Sequence, residues 1–399
     1  MMALSQALQA LAIDAMLPGL GVIARDLGAS DPNQRQLIIG VFMIGIGIGS
    51  LVPGTLADRY GRRPVFLSCL FAYVVLAFAC ALVTRFDVLI GLRFAQALAS
   101  GGLSVLPAAI IRDRLDGDRM ARLLSLITMV FLVVPMVAPS LGQVVLVFAG
   151  WRWIFGMMGL LGAGIGVWVF ARLPETLDPA FRQPILPRTI VVNMAGALTS
   201  RAAIGYVLGA SLIQGIIWGY IQCSQQLVAE HLGAGDAFPV LFGAMALCMA
   251  ATNFTNSRIV ERFGGRRVSH FALFAFLAVG AAMVALAYRP NQSLWQFILP
   301  MTAGMCLMGF IGSNCASIAL QPFAKTAGAA SSAQACVRTV TASLLGAMIG
   351  QAYDGTARPL SLAMLAGGVL SILLVLFSER GRLFRRLTPP GSPRPVAAP

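Results

Sequence analysis

Charged residues are scarce in this sequence. Only 11% of its 399 residues are Asp, Glu, Lys or Arg, whereas a soluble domain carries about 25%. The segments between its hydrophobic runs are short, which leaves no room for a soluble catalytic domain. No Gly-x-x-x-x-Gly-Lys-Ser/Thr run is present to hold a nucleotide phosphate. The composition therefore excludes an ordinary soluble protein and indicates a protein of the lipid bilayer.

Patterns for metals and for enzymatic chemistry are also missing. The seven cysteines fall within or at the ends of hydrophobic runs, and none forms a Cys-x-x-Cys pair, so we expect neither disulfides nor a zinc site. His231 and His270 stand alone at predicted helix ends. We expect no metal and no cofactor, and no cluster of nucleophile, acid and base supports an enzyme.

Long hydrophobic runs dominate the chain instead. A helix needs about 20 mainly apolar residues to cross a bilayer, and the sequence predicts an all-α membrane protein with twelve such helices. Their approximate ranges are 3–24, 36–56, 65–83, 88–111, 123–146, 153–171, 203–226, 237–257, 268–287, 295–318, 328–350 and 359–377. The first run begins almost at Met1, which leaves a native start further upstream open. It lacks the basic leader of a cleavable signal peptide.

The twelve runs divide into two bundles of six, at residues 1–172 and 203–378. A proline-rich cytoplasmic linker covers residues 173–202, and a basic tail, expected to be disordered, covers residues 379–399. Positive charge concentrates in cytoplasmic loops, which places both termini in the cytoplasm. With this orientation only six of the 29 basic residues lie outside: Arg25, Arg35, Arg85, Arg152, Arg289 and Arg358. The net charge of +14 thus reflects orientation in the membrane and not nucleic-acid binding.

The densest motif is Gly-Thr-Leu-Ala-Asp-Arg-Tyr-Gly-Arg-Arg-Pro, from Gly54 to Pro64, and a weaker copy runs from Asn256 to Arg267. It resembles the signature loop between the second and third helices of the major facilitator superfamily. Members of that superfamily are secondary transporters built from two homologous six-helix halves. The resemblance therefore implies that fold and a transport function.

The resemblance also implies that the signature loop acts as a gate. Asp58 is expected to face the positive amino end of the eleventh helix, and Arg62 to pair with Asp113, so that both contacts close the inner mouth in the outward-facing state. Alternatively, the arginines serve only as anchors at the inner membrane surface. That alternative explains Arg63, but neither Asp58 nor the glycines. The predicted gating residues are Gly54, Asp58, Arg59, Gly61, Arg62 and Asp113.

Three charged residues fall inside predicted spans, where a charge is costly enough to suggest a function. They are Asp14 in the first span, Arg93 in the fourth and Arg338 in the eleventh. A carboxylate balanced between burial and a nearby arginine can bind and release a proton, so all three are predicted to serve proton coupling. The alternative is a fixed ion pair between Asp14 and Arg93 that only holds two helices together.

Further segments are similar to one subfamily, the bicyclomycin-resistance-type (Bcr/CflA) drug:proton antiporters. They are Asp14 to Pro18, Arg93-x-x-Gln96, Arg112-Asp113, Ala138-Pro139-Ser140-Leu141-Gly142, Gly150-Trp151-Arg152-x-x-Phe155 and Gly328 to Ala333. The Ala-Pro-x-x-Gly segment is similar to an exporter motif, although ordinary kinked packing is the alternative. Residues 220–226 depart from the subfamily, which commonly has Ser-Pro-Phe there, and they suggest a more polar cavity.

In this fold, helices one, four, seven and ten line a central cavity, joined by two, five, eight and eleven. The candidate lining residues are Gln96, Pro139, Gly142, Gln214, Trp218, Gln222, Asn253, Phe254 and Asn314. The favoured function is export of small amphipathic or drug-like molecules across the bacterial inner membrane, by a monomer driven by the proton gradient. A proton-coupled importer of a metabolite and a transporter-like sensor remain the alternatives.

Overall fold

The computed structural model of the chain describes residues 1–29, 31–114, 134, 137–177, 195–196, 199–235, 237–290 and 292–384. Most of this part of the chain is helical, and it contains no strand. Nine of the described helices are long and apolar enough to cross a membrane, and the bent pair Asn33–Gly49 and Val52–Tyr60 would make a tenth. The predicted all-α membrane fold is therefore confirmed, whereas the count of twelve spans is not reached within the described residues.

Eight of the described helices lie in the first half of the chain. They are α1 (Met2–Asp14), α2 (Leu20–Asp26), α3 (Leu37–Gly49), α4 (Val52–Tyr60), α5 (Arg62–Leu82), α6 (Phe86–Arg112), α7 (Val137–Ala149) and α8 (Arg152–Arg172). Helices α1 and α2 belong to one span, Met2–Asp26. The predicted fifth span begins among residues outside the described part, so α7 is its only described helix.

Six helices form the second half. They are α9 (Arg201–Ser224), α10 (Phe238–Phe263), α11 (Gly265–Ala287), α12 (Leu294–Leu320), α13 (Ala327–Gln351) and α14 (Arg358–Ser378). Helix α9 continues as a π-helical turn, Gln225–His231. Helix α13 matches the predicted eleventh span, but its small and polar residues keep it out of the nine apolar helices. Most of the predicted linker, residues 178–194, lies outside the described part.

The helices pack as two groups, and among the described helices α3 and α13 make the most extensive contact between them. In the first half α3 packs on α6, and α5 packs on α6 and α8. In the second half α9 packs on α12, α13 and α14, and α11 packs on α12. Helix α3 also packs on α13, and this pair joins the two halves.

The signature motif is helical rather than a loop. Helix α4 bends by 41° from α3 and continues to Tyr60, and α5 begins at Arg62. Gly61 alone makes the turn, with a φ of 106°, in a region that favours glycine. Gly264, with a φ of 86°, makes the equivalent turn between α10 and α11. The expectation of a loop was wrong because one glycine is sufficient to reverse the chain.

Glycines mark the closest approaches between spans. A side chain on Gly49 would collide with the backbone of Leu98 in α6, and one on Gly142 would collide with the carbonyl oxygen of Ala15. Small residues permit this backbone contact between membrane helices. The Ala-Pro-x-x-Gly segment therefore brings α7 against the first span next to Asp14.

We expect Gly142→Ala to lower the unfolding temperature in detergent by several degrees. The added methyl group has no space beside Ala15, and overpacking destabilises by about 1–3 kcal/mol. Gly164→Ala in α8 is the matched control, because no atom lies within 4 Å of its added Cβ. Equal unfolding temperatures for the two variants would show that the approach of α7 to the first span is not tight.

Candidate functional site

Asp14 lies at an interruption of the first span. Helix α1 ends at Asp14, and Pro18 follows in the short turn Leu17–Gly19. Because proline has no N–H, the carbonyl of Asp14 cannot receive the helical hydrogen bond from residue 18, and the helix breaks. The Asp14 side chain is buried, and it makes no hydrogen bond or ion pair with any described residue. A carboxyl group without a protein partner thus lies at a break in a membrane helix.

Arg93 of the neighbouring helix α6 is fully buried, and neutral groups accept its hydrogen bonds. Its Nη2 donates to the carbonyl of Ala12 at 2.8 Å, and its Nη1 donates to Oε1 of Gln96 at 2.8 Å. The guanidinium also lies 3.9 Å from the ring centroid of Phe42, a favourable cation–π contact. Arg93 is therefore anchored to a residue two positions before Asp14 and not to Asp14 itself.

The fixed ion pair between Asp14 and Arg93, which the sequence left as an alternative, is wrong. No ion pair joins these two described side chains. The guanidinium of Arg93 instead binds the backbone carbonyl of Ala12, which lies within hydrogen-bond distance, whereas the side chain of Asp14 does not. Arg93 consequently holds the helices in place, and Asp14 keeps its carboxyl group uncommitted.

The predicted cavity residues occupy different surroundings. Gln222 is buried against Gly40 of the other half. Asn314 donates to Oδ1 of Asn256 at 3.0 Å and so joins α12 to α10. Phe254 is 65% exposed. The others are half-buried or buried: Gln214, Trp218 and Asn253, then Gln96, Pro139 and Gly142. Their role in substrate binding stays a prediction.

At one end of the bundle, called the Arg62 end here, Arg62 contacts two carboxylates. Its Nε lies 2.9 Å from Oδ2 of Asp113, and its Nη1 lies 2.7 Å from Oδ1 of Asp58. The suggested pair with Asp113 is formed, while its gating role stays a prediction. Asp58 thus pairs with Arg62 four residues later, and its expected approach to the amino end of α13 stays a prediction. The first side chains of α13, its expected partner, lie outside the description.

Two further predicted gating residues flank this cluster. Gly54 in α4 lies near Val105 of α6, 3.8 Å from where its Cβ would stand. Arg59 is exposed, and its guanidinium lies 5.5 Å from the ring centroid of Tyr60. Among the described residues, no hydrogen bond or ion pair joins either residue to the second half, and their gating role stays a prediction.

Glu175 completes the Arg62 end, and the sequence did not single it out. Its Oε1 accepts from the backbone N–H of Arg62 at 2.9 Å, and its Oε2 accepts from that of Arg63 at 3.3 Å. A carboxylate is favourable at the amino end of a helix, here α5. No local signal identifies Glu175, since its partner lies 113 residues earlier in the chain.

Arg266 occupies the corresponding place in the second half. Its Nε lies 2.8 Å from Oε1 of Glu379, which also accepts a hydrogen bond from Tyr206 Oη at 2.7 Å. Nearby, Nδ1 of His270 accepts from the backbone N–H of Phe384 at 3.0 Å. The tail was expected to be disordered from residue 379, and these contacts instead hold Glu379 and Phe384 in place. Residues 385–399 lie outside the described part.

The two halves are joined at the opposite end, called the Arg35 end here. Arg35 binds Glu230 through two parallel hydrogen bonds, of 2.7 Å from Nη1 to Oε1 and 2.8 Å from Nη2 to Oε2. Asn33 Nδ2 donates to the carbonyl of Tyr353 at 2.8 Å, and Gln351 Nε2 donates to the carbonyl of Asn33 at 2.8 Å. An ion pair and side-chain amides therefore close this end.

Glutamines of α9 and its π-helical turn extend the closure. Gln226 contacts Gln36, and Gln222 lies against Gly40. These glutamines lie where the sequence departs from the antiporter subfamily, and they pack between the halves. At the Arg62 end, no hydrogen bond or ion pair between described residues joins the halves. The polar contacts of this conformation thus close the Arg35 end alone.

Comparison with known proteins identifies the family of the chain. Residues 2–350 match the family model of the Major Facilitator Superfamily. The chain belongs to this superfamily. It is therefore a multi-pass membrane transporter and not an enzyme.

Individual relatives resemble the chain over most of its length. It is 32% identical over 345 residues, 85% of each chain, to the multidrug resistance protein MdtL of Klebsiella pneumoniae subsp. pneumoniae. It is 28% identical over 370 residues, 92% of each chain, to the bicyclomycin resistance protein homolog of Haemophilus influenzae. The crystal structure of a D-xylose-proton symporter superposes with a TM-score of 0.69 over 94% of each chain, and its 14% identity supports the fold alone.

We expect Glu230→Gln to increase the population that is open at the Arg35 end by about threefold. A half-exposed ion pair contributes about 0.5–1 kcal/mol, and Gln cannot replace the charge. The measurement is the distance distribution between spin labels introduced by Arg85→Cys and Arg289→Cys, after the native cysteines are replaced. Asp354→Asn, at an exposed carboxylate of the same end, is the control. Identical distributions in both variants would contradict a role of Glu230 in closure.

Glu175 makes the stability of the Arg62 end depend on pH. Burial raises the pKa of Glu175, but the backbone N–H groups of Leu177, Arg62, Thr176 and Arg63 outweigh it, and the net pKa lies below its usual value of 4.5. Because the folded pKa is depressed, the carboxylate stabilises the fold above pH 4.5. This stabilisation is lost as the pH falls through the folded pKa.

We therefore expect Glu175→Gln to lower the unfolding temperature at pH 7 by about 1–2 °C, the effect of one charge at a helix terminus. The difference from the native protein should shrink as the pH falls below about 4.5 and vanish at lower pH. Parallel thermal unfolding of both proteins across this range is the measurement. A difference that stays constant with pH would mean that the charge of Glu175 contributes nothing.

Proposed function

We propose that this transporter exports small amphipathic or drug-like molecules in exchange for protons. The observation that carries the proposal is Asp14, a buried carboxyl group at a helix break with no partner among the described residues. Ionisable groups within membrane spans are rare and serve functions such as proton transfer. The names of the relatives in Klebsiella and Haemophilus support drug-like substrates.

The proposed orientation makes the described conformation inward-facing. With both termini in the cytoplasm of the inner membrane, the Arg62 end faces the cytoplasm, and the Arg35 end faces outward. The pair between Arg35 and Glu230 then seals the outside, and a substrate reaches the space between the halves from the cytoplasm. An exporter loads its substrate in this conformation.

Protons drive the cycle if protonation of Asp14 changes the relative stability of the inward-facing and outward-facing conformations. The break at Asp14 lies where Gly142 of α7 packs on Ala15, so a change of charge there acts on a tight contact between two spans. Arg93 stays bound to the Ala12 carbonyl and preserves the local frame. One buried carboxylate implies about one proton per cycle.

The test uses inverted membrane vesicles with an acidic interior and a panel of lipophilic compounds, with proton release from the vesicles as the readout. We expect the native protein and Asp87→Asn to release protons when a substrate is added, because Asp87 is exposed and pairs only with Arg85. Asp14→Asn should abolish this release, since the amide carries no exchangeable charge. The Asp87 variant thus controls for removal of a carboxylate.

The other outcomes are equally specific. Release that persists in Asp14→Asn would retain the antiporter and remove Asp14 as its proton carrier. Proton movement in the same direction as the substrate would overturn export and favour import. No proton movement with any compound, in vesicles that contain the folded protein, would contradict proton-coupled transport of this compound class.

A further inference from the structure

A second arginine in a predicted span, the half-buried Arg338, lacks the partners that Arg93 has. Nε of Arg338 in α13 is buried and has no hydrogen-bond partner among the described residues. No described carboxylate forms an ion pair with its guanidinium. A buried N–H of a charged guanidinium is unfavourable unless a hydrogen-bond acceptor compensates for it. The described part of the chain supplies no acceptor for Nε of Arg338.

Arg338 borders a cavity of about 100 Å³ in the second half. The walls are formed by one face each of α9, α12 and α13. Lining residues lie four positions apart along each helix, and residues at this spacing share a face. Small side chains leave the space open, and apolar carbon covers much of it. Two lining residues from each helix are Tyr206 and Ala210, Ala316 and Leu320, and Gln334 and Arg338.

The nearest acidic network is already satisfied. Tyr206, on the cavity wall, donates its hydroxyl proton to Glu379, and Arg266 pairs with the same carboxylate at 2.8 Å. The side-chain amide of Gln334 donates a hydrogen bond of 3.0 Å to the carbonyl of Ala319. Arg338 is thus the charge on the cavity wall that no described group balances.

We propose that this cavity binds the anionic group of the transported molecule, a carboxylate attached to apolar carbon. The guanidinium offers a planar set of N–H donors that fits a carboxylate with two parallel hydrogen bonds. The alanine and leucine walls suit the adjoining apolar carbon. The inference rests on the proposed function, and it moves Arg338 from proton coupling, where the sequence placed it, to substrate recognition.

Binding in nanodiscs of phosphatidylcholine tests this proposal with two probes, benzoate and benzamide, which differ in charge but little in shape. The readout is the rise in unfolding temperature as each probe is titrated. We expect benzoate to stabilise the native protein and benzamide to have a much smaller effect. Arg338→Gln should weaken the apparent affinity for benzoate by about tenfold or more, because the anion loses its charged partner.

Two further variants make the test specific. Arg172→Gln removes an exposed arginine at the end of α8 and should keep the benzoate response. Arg338→Lys should keep a weaker preference for benzoate, since an ammonium retains the charge without the planar set of donors. This variant also serves as the test if Arg338→Gln fails to fold.

Three results would overturn the proposal: equal responses to both probes, an unchanged benzoate response in folded Arg338→Gln, or loss of the preference in folded Arg338→Lys. Because nanodiscs carry no proton gradient, this measurement is independent of coupling. Benzoate selectivity in a protein that moves no protons would refute the proposed function alone. Active export without that selectivity would refute only the anion site.

Discussion

A buried cation that must be satisfied without water determines the packing of the first half. Arg93 is 0% exposed, and an unpaired charge in such a place would destabilise the fold by several kcal/mol. Its donors reach the carbonyls of Ala12 in α1 and Ile38 in α3, and Phe155 of α8 lies 5.8 Å from its guanidinium. One side chain of α6 thereby fixes three other helices. Since backbone carbonyls do not titrate, this frame is unaffected by a proton on Asp14.

The Arg62 end contains two related sites, one in each half, in which a carboxylate binds an arginine or the backbone N–H groups beside it. Arg266 lies as far after Arg62 as Glu379 lies after Glu175, so the two arginine–carboxylate sites are copies. In each half, a carboxylate lies just after the last helix. It contacts the residues that follow the glycine turn at the end of the second span. The chemistry has diverged, because Glu175 accepts from backbone N–H groups while Glu379 binds the Arg266 side chain. Both nevertheless make their own half a unit that can move as one body.

The sequence predicted features that depend on local patterns and missed those that depend on distant partners. Hydropathy located the helices, and the motif suggested the pair of Arg62 with Asp113. Glu175 and Glu230 carry no comparable signal, because a carboxylate on a short loop or helix end acquires meaning only from a partner more than 100 residues away. Hydropathy also ended the second span too early, since α4 continues as a polar helix to Tyr60.

The polar character of the Arg35 end bears on how easily the transporter changes conformation. Alternating access requires two states of similar free energy. Opening a seal of apolar side chains would expose apolar surface to water, at a free-energy cost of about 25 cal/mol per Å². Here, side-chain amides such as Gln36 and Gln226, together with the pair of Arg35 and Glu230, form much of the seal. Such groups exchange hydrogen bonds with each other for hydrogen bonds with water, and the net difference is small. Gln226, one of the glutamines that depart from the antiporter subfamily, therefore favours a reversible closure, which is a condition for transport in repeated cycles.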